Sequence, residues 1–255
     1  MLLAIDIGNT QILLGGFQKK NLLFHARLRT DPLRTSDEYG VALLQLLDTH
    51  NIKKGRIKDV ILACVVPPLL HTITKTLKDY LGLPPLRVGP DLAAGMKIRV
   101  GNPAEVGADR IVNAVAAREL YGTPAIIVDF GTATTFDVIN RKGEYLGGAI
   151  APGIGISLEA LVAKTSMLPK VEIKKPGKAI GDGTVSALQS GIFYGYIGLV
   201  ENLIRTIAAE MEGKPVVVAT GGLARLVAGE CPAVDKIDPF LTLTGLRIIF
   251  EKNNV

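Results

Sequence analysis

Two stretches of the chain share one pattern of apolar and polar positions. Leu2 to Ile5 is apolar and runs into Asp6-Ile7-Gly8-Asn9-Thr10. Ala125 to Val128 is apolar and runs into Asp129-Phe130-Gly131-Thr132-Ala133-Thr134-Thr135. Short apolar runs that stop at turn residues predict buried strands. After each copy the chain extends again, over 11–17 and 134–139, then crosses a polar turn at 18–21 or 140–144 into another strand-like stretch. One Asp-x-Gly hairpin would mean little, because Asp and Gly are common turn formers. Two of them, set about half a chain length apart, predict a duplicated, hairpin-led domain.

Each half continues alike. Val60 to Val66 is an apolar strand that meets Pro67-Pro68 and an amphipathic segment to Leu81; Val216-Val217-Val218-Ala219 meets Thr220-Gly221-Gly222 and a helix from Leu223. Strands mixed with such helices predict α/β layers. Turn residues at Tyr121-Gly122-Thr123-Pro124 end a helix ahead of the second copy, which sets the expected domains at 1–120 and 121–255.

Composition narrows the class. The 255 residues are 48% hydrophobic, enough for substantial cores, and 21% charged, as a water-facing surface requires. Aromatics are few and Trp is absent, which argues against a binding face built on large aromatic anchors. The net charge of +5 is scattered, and its densest group (Lys53, Lys54, Arg56, Lys58) reads as a solvated loop or helix face. A mildly basic enzyme that binds an anionic nucleotide accounts for this balance without a nucleic-acid partner. Cys64 and Cys231 lack CxxC spacing and read as buried small hydrophobes in a reducing compartment. His25, His50 and His71 are isolated, so neither zinc nor a His-based nucleophile has support. No basic n-region precedes Asp6, which argues against a signal peptide. The longest apolar run, Val60 to Leu70, is broken by two prolines and too short for a bilayer. A cytoplasmic protein with no membrane partner is the expectation.

The repeated hairpin points to phosphate chemistry. Phosphates need close approach by backbone N–H groups, which glycine permits, and short hydroxyl or amide donors. Gly8-Asn9-Thr10 and Gly131-Thr132-Ala133-Thr134-Thr135 offer both. A carboxylate at each strand end, Asp6 and Asp129, could hold a hydrated Mg²⁺ or another hard cation nearby. Two hairpins facing one another would clamp a nucleotide between the domains. No Walker A sequence occurs, and Gly153-Ile154-Gly155 lacks a Rossmann setting.

Asn102-Pro103-Ala104-Glu105 predicts a helix start, with Asn as cap and Pro at the first position, running to about Leu120. On that helix Glu105, Asp109 and Asn113 would form one polar stripe. Spacing leaves open whether the stripe faces solvent or a ligand, although Glu105 and Asp109 would repel one another. Gly181-Asp182-Gly183-Thr184 precedes a second long helix with Ala187, Gly191, Gly195 and Gly198 along one side. Such a stripe admits another helix closely, from this chain or from a second copy.

The Asp-x-Gly hairpins and the Thr-Gly-Gly turn resemble the phosphate and adenosine elements of the superfamily of acetate and sugar kinases, heat-shock chaperones and actin. That resemblance implies duplicated ribonuclease H-like (actin-like ATPase) domains, with mixed sheets flanked by helices. Asp6 to Thr10, Gly107-Ala108-Asp109-Arg110, Asp129 to Thr135 and Gly147-Gly148-Ala149-Ile150-Ala151-Pro152-Gly153 together resemble type III pantothenate kinases, from Leu2 to about Arg247. The family performs the first step toward coenzyme A, phosphorylating pantothenate with ATP. The resemblance implies ATP contacts at Asp6, Gly8, Asn9, Thr10, Gln11, Gly131, Thr132, Thr134, Gly221 and Gly222. It makes Asp109 the general base and Gly107, Ala108, Asp109, Arg110 and Val100 pantothenate contacts. Arg110 would grip a pantothenate polar group. Thr184 would reach pantothenate across a homodimer interface. Asp129 would bind K⁺ or NH₄⁺, and Asp6 would serve Mg²⁺. Val100 departs from the pattern, because many relatives carry an aromatic residue there. A kinase for another small hydroxy acid or polyol is the nearest rival. A transcription accessory factor, also described among such relatives, would be expected to lose Asp6, Asp109, Arg110 or Asp129, and all four are present.

Overall fold

Leu2–Ile7 (β1) is buried at every position except Asp6, as befits a strand covered on both faces. In this computed structural model, which describes residues 1–92 and 94–253, β1 pairs antiparallel with Gln11–Gln18 (β2). β2 in turn pairs with Asn21–Arg29 (β3). On its other side β1 runs parallel to Asp59–Cys64 (β4), and Leu86–Arg87 (β5) closes the order β3-β2-β1-β4-β5. Ser36–Thr49 (α1) starts on a capping box between Thr35 and Glu38. Pro67–Thr76 (α2) starts on Pro67 and passes into a π turn, Leu77–Leu81, so the amphipathic segment ends where its pattern predicts. Leu3, Ile5, Leu43, Leu62 and Leu69 are among the residues of this core.

The second sheet is built from Ala125–Phe130 (β6), Ala133–Ile139 (β7), Tyr145–Pro152 (β8), Val216–Thr220 (β9) and Lys236–Ile237 (β10), in the order β10-β9-β6-β7-β8. β8, β7, β6, β9 and β10 stand where β3, β2, β1, β4 and β5 stand in the first sheet, with the same parallel and antiparallel neighbours. β6 even repeats the burial pattern of β1, with Asp129 as its one incompletely buried residue. The repeat predicted the duplication, and this is the duplicated ribonuclease H-like arrangement that the resemblance implied. Ile154–Ala163 (α4) and Thr184–Ala209 (α5) pack on the second sheet, with Phe193, Tyr196, Val200 and Ile204 in its core.

Two compact units result. The first holds Met1–Lys97, Gly101–Ala116 and Leu241–Val255; the second holds Ile98–Val100 and Ala117–Phe240. Against a single cut at 120/121, three stretches change sides: Ile98–Val100, residues 117–120 and Leu241–Val255. Leu241–Asn253 (α7) belongs to the first unit, where Leu241, Leu243, Leu246 and Ile249 are buried and the helix meets β1, β2 and β4. Its apolar face is plain in the sequence, but nothing in that face names the sheet it covers. Ile98 bridges to Tyr145, and Arg99 N–H donates to Tyr145 O at 2.7 Å, which attaches this short stretch to β8.

The helix expected from Asn102 is two elements. Asn102 caps only a 3₁₀ turn, Pro103–Glu105, by accepting from Ala104 N–H at 3.2 Å. Val106 then takes extended backbone, and Ala108–Tyr121 (α3) starts afresh. Glu105 therefore lies off α3 and accepts from Asn102 Nδ2 at 2.8 Å. Asn113 is buried and accepts from Thr242 Oγ1 at 2.8 Å. The polar stripe does not form. The helix expected from Leu223 is also shorter, a four-residue Ala224–Val227 (α6) followed by a 3₁₀ turn.

Candidate functional site

In the first unit Asp6 sits one residue before the end of β1, half-buried, opposite Leu13 on β2 and Ala63 on β4. The turn beyond it closes on itself, because Gly8 N–H donates to Gln11 O at 3.0 Å. Thr30, just past β3, clamps the same turn: its hydroxyl donates to Gly8 O at 2.6 Å and its N–H to Thr10 O at 3.0 Å. Asn9, Thr10 and Gln11 stay exposed. The glycine N–H is thus used inside the turn, and the groups presented outward belong to the residues after it. Thr30 escaped the sequence reading because only the return of β3 along β2 brings it to the hairpin mouth.

Asp109 lies in the first turn of α3. Its Oδ1 accepts from Arg110 N–H at 2.8 Å, and a β-carbon built on Gly107 would stand 2.5 Å from the same oxygen. The same β-carbon would stand 3.5 Å from Val65 Cγ1. Val65 N–H donates to Ile7 O at 3.0 Å. Val65 is therefore bonded to the strand that carries Asp6 and stands beside the loop that delivers Asp109, a role no local motif announces. Burial pushes the Asp109 carboxyl above the usual carboxylate range, against the opposing pull of the Arg110 backbone N–H and guanidinium. Burial also pushes the Cys64 thiol up; a hydrogen bond with the Val66 backbone opposes this, and the Asp6 charge adds to it.

The second unit repeats the hairpin. Asp129 stands opposite Thr135 on β7 and Thr220 on β9. Gly131 N–H donates to Ala133 O at 3.1 Å, the counterpart of the Gly8 closure, and Thr132 is exposed. Two glycines brace this turn. Gly153 N–H donates to Thr132 O at 3.1 Å, and a side chain there would collide with Thr132 O at 2.3 Å. Gly221 has φ +95° and comes so close that its β-carbon would stand 2.4 Å from Asp129 Oδ1. Gly222 beside it is exposed. Thr134 differs from its neighbours. Strand alternation turns it inward relative to Ala133 and Thr135, fully buried and hydrogen-bonded to Tyr196, whereas Thr132 lies in the turn ahead of β7 and is exposed.

Val100 packs on Gly147, whose β-carbon would stand 3.5 Å from Val100 Cγ1. Asp137, a buried carboxylate that the sequence reading passed over, accepts from Tyr145 OH at 2.7 Å and Thr135 Oγ1 at 3.1 Å. Thr184 opens α5 and is exposed, as are Ala187, Gly191, Gly195 and Gly198. Apart from their own stretch of helix, nothing among the described residues lies within 4 Å of a β-carbon built on any of those three glycines. Among the described residues no group of three or more His, Cys, Asp and Glu converges as a metal cluster. A cation at Asp6 or Asp129 would thus depend largely on water and ligand oxygens beside the carboxylate, a donor set that suits Mg²⁺ or a monovalent ion.

Comparison with known proteins identifies the family. A family model described as type III pantothenate kinase matches residues 2–206. A type III pantothenate kinase of Moorella thermoacetica is 55% identical over 99% of this chain and 100% of its own. One from Bacillus cytotoxicus is 48% identical over 100% of this chain and 97% of its own. Among solved structures, a conserved putative Baf family transcriptional activator from Campylobacter jejuni superposes with a TM-score of 0.61 at 20% identity, covering 98% of both chains. At that identity the likeness concerns fold alone. The chain belongs to the type III pantothenate kinase family.

Proposed function

We propose, from membership of that family, that the chain transfers the γ-phosphoryl group of ATP to the 4′-hydroxyl of pantothenate, the first step of coenzyme A biosynthesis. The observation that carries the mechanism is the carboxyl of Asp109, raised in pKa by burial and set at the start of α3 in the unit that also holds the Asp6 hairpin. A base whose pKa lies closer to the working pH accepts a proton more effectively than an ordinary carboxylate. The hydroxyl oxygen forms a bond to the γ-phosphorus while the bond from that phosphorus to the β,γ-bridging oxygen breaks. ADP leaves, and the hydroxyl proton passes to Asp109. Little covalent work falls to the protein in such a transfer, so holding and orienting the hydroxyl is most of the task. Arg110 supplies a planar fork for the pantothenate carboxylate.

The exposed Asn9, Thr10 and Gln11 in one unit, and Thr132 with the Gly221-Gly222 turn in the other, are the groups assigned to ATP. Asp6 would hold Mg²⁺, which neutralises phosphate charge, and Asp129 would hold K⁺ or NH₄⁺. The exposed small-residue side of α5 supports a homodimer in which Thr184 reaches the partner's pantothenate. No helix of the described residues is long and apolar enough to cross a membrane, and a cytoplasmic location fits this enzyme role. The test is an assay of ADP release across small hydroxy acids and polyols, with and without K⁺. Turnover is expected with pantothenate and K⁺ or NH₄⁺ together; turnover confined to another alcohol would overturn the substrate assignment.

A further inference from the structure

Tyr196 lies on α5, far in sequence from the Gly131 turn, yet the segments bordering that turn converge on it. Its hydroxyl is hydrogen-bonded to Thr134 Oγ1 at the start of β7, with Tyr196 only 6% exposed and Thr134 fully buried. Its ring lies beside that of Phe130 at the end of β6, with centroids 6.4 Å apart and planes at 57°. Ile154 packs in the same buried cluster as Tyr196 and Phe130. Ile154 follows Gly153, whose N–H holds Thr132 O. One side chain thus meets the strand entering the turn and the strand leaving it, in the same cluster as the segment that braces it.

A phenylalanine would fill this volume equally well. A buried hydroxyl costs free energy unless it is paired, so the Tyr196–Thr134 pair favours one arrangement of the turn where an apolar contact would tolerate several. We infer that Tyr196 is a positioning residue for phosphate binding: through the Thr134 hydroxyl and the Phe130 ring it sets the orientation in which Thr132 meets the nucleotide. This gives Thr134 an indirect part in ATP binding in place of direct contact. The inference rests on the assignment of nucleotide phosphate to the Gly131-Thr132 turn.

Steady-state kinetics of the full-length kinase test it. Tyr196→Phe and Thr134→Val are each expected to raise the KM for ATP about tenfold, with the KM for pantothenate unchanged, and the double variant to add nothing further. Thr134→Ser keeps the hydroxyl and should restore the KM for ATP. Gly131→Ala, whose methyl would stand 3.3 Å from Ala133 O and crowd an approaching phosphate, checks the underlying assignment. A raised KM for ATP in Gly131→Ala with none in Tyr196→Phe overturns the positioning role alone. No change in either variant overturns the phosphate assignment and the positioning role together. A parallel rise in both KM values with a lowered Tm in Tyr196→Phe assigns the tyrosine to general stability and also overturns the proposal.

Discussion

Gly221 is pressed against Asp129, with room for no side chain between its α-carbon and the carboxylate. Register explains the contact. β6 and β9 run parallel with Asp129 opposite Thr220, so the turn that ends β9 must pass directly in front of Asp129. At φ +95° the turn also needs a residue that tolerates positive φ. The Thr-Gly-Gly motif and the second Asp-x-Gly motif are therefore one site, although a long stretch of chain separates them.

Gly221→Ala should disturb that site at its carboxylate. The methyl group would overlap Asp129 Oδ1 and the Phe130 backbone N and O, each within 2.7 Å, so Asp129 must turn away. The K⁺ concentration for half-maximal activation is expected to rise about tenfold or more, given a positional and conformational penalty on the order of 1–3 kcal/mol. Titration of K⁺ at saturating ATP and pantothenate measures it. An unchanged K⁺ response would separate Asp129 from the cation.

Thr242→Val should destabilise the first unit. Its hydroxyl donates to Asn113 Oδ1 inside the core, where α7 meets α3. Removing that donor leaves a buried amide oxygen one bond short, at a cost of about 1–3 kcal/mol. Urea unfolding should show a lowered midpoint for Thr242→Val and a near-normal one for Thr242→Ser. Equal midpoints for wild type and Thr242→Val would mean that the hydrogen bond contributes nothing net.

The repeat was legible because it is written in local chemistry: an apolar run, a carboxylate, a glycine and small polar residues, in each half. The paired hairpins and their polar turns follow from that pattern, whereas strand order and the half-buried state of Asp6 and Asp129 emerge only in the folded sheets. Contacts made by residues distant in sequence were not legible. Nothing near Thr30, Val65 or Tyr196 distinguishes them from ordinary core or turn residues, and each acquires its role only when strands and helices are brought together. Asn102-Pro103 misled for a related reason. Its capping signal is genuine, but it serves a single 3₁₀ turn, and the extended Val106 ends that turn before α3 begins.

Gly195→Trp should act between copies of the chain. The position is exposed and its β-carbon would meet nothing outside its own stretch of helix, so an indole there can extend outward. It would hold a second α5 away from the stripe of Ala187, Gly191, Gly195 and Gly198. Sedimentation is expected to show a monomer with an unreduced Tm and greatly weakened turnover, because Thr184 then lacks a partner to serve. A dimer of wild-type mass and activity would place the interface elsewhere.

Asp109→Asn should trade activity for stability. The wild-type carboxyl is held above its ordinary value of 3.8 by burial, which the pull of Arg110 only partly offsets. Between 3.8 and the raised value, the native state holds more protons than the unfolded chain, so stability falls as pH rises through that window. Above the window the full cost of burying a carboxylate persists. Asparagine never ionises, can still accept from Arg110 N–H, and removes that cost. The variant is therefore expected to melt higher than wild type at pH 7, with the difference shrinking as pH falls through the window. Its kcat should drop by about 10²–10⁴-fold, the usual contribution of a general base. In the wild type, kcat/KM for pantothenate should decline on the acid side at a higher pH than an ordinary aspartate would produce. Melting curves of both proteins across pH, with the pH profile of kcat/KM, measure all three effects. An Asp109→Asn protein no more stable than wild type at pH 7 would show that the carboxylate bears no burial cost. Unimpaired turnover would remove Asp109 from the chemistry.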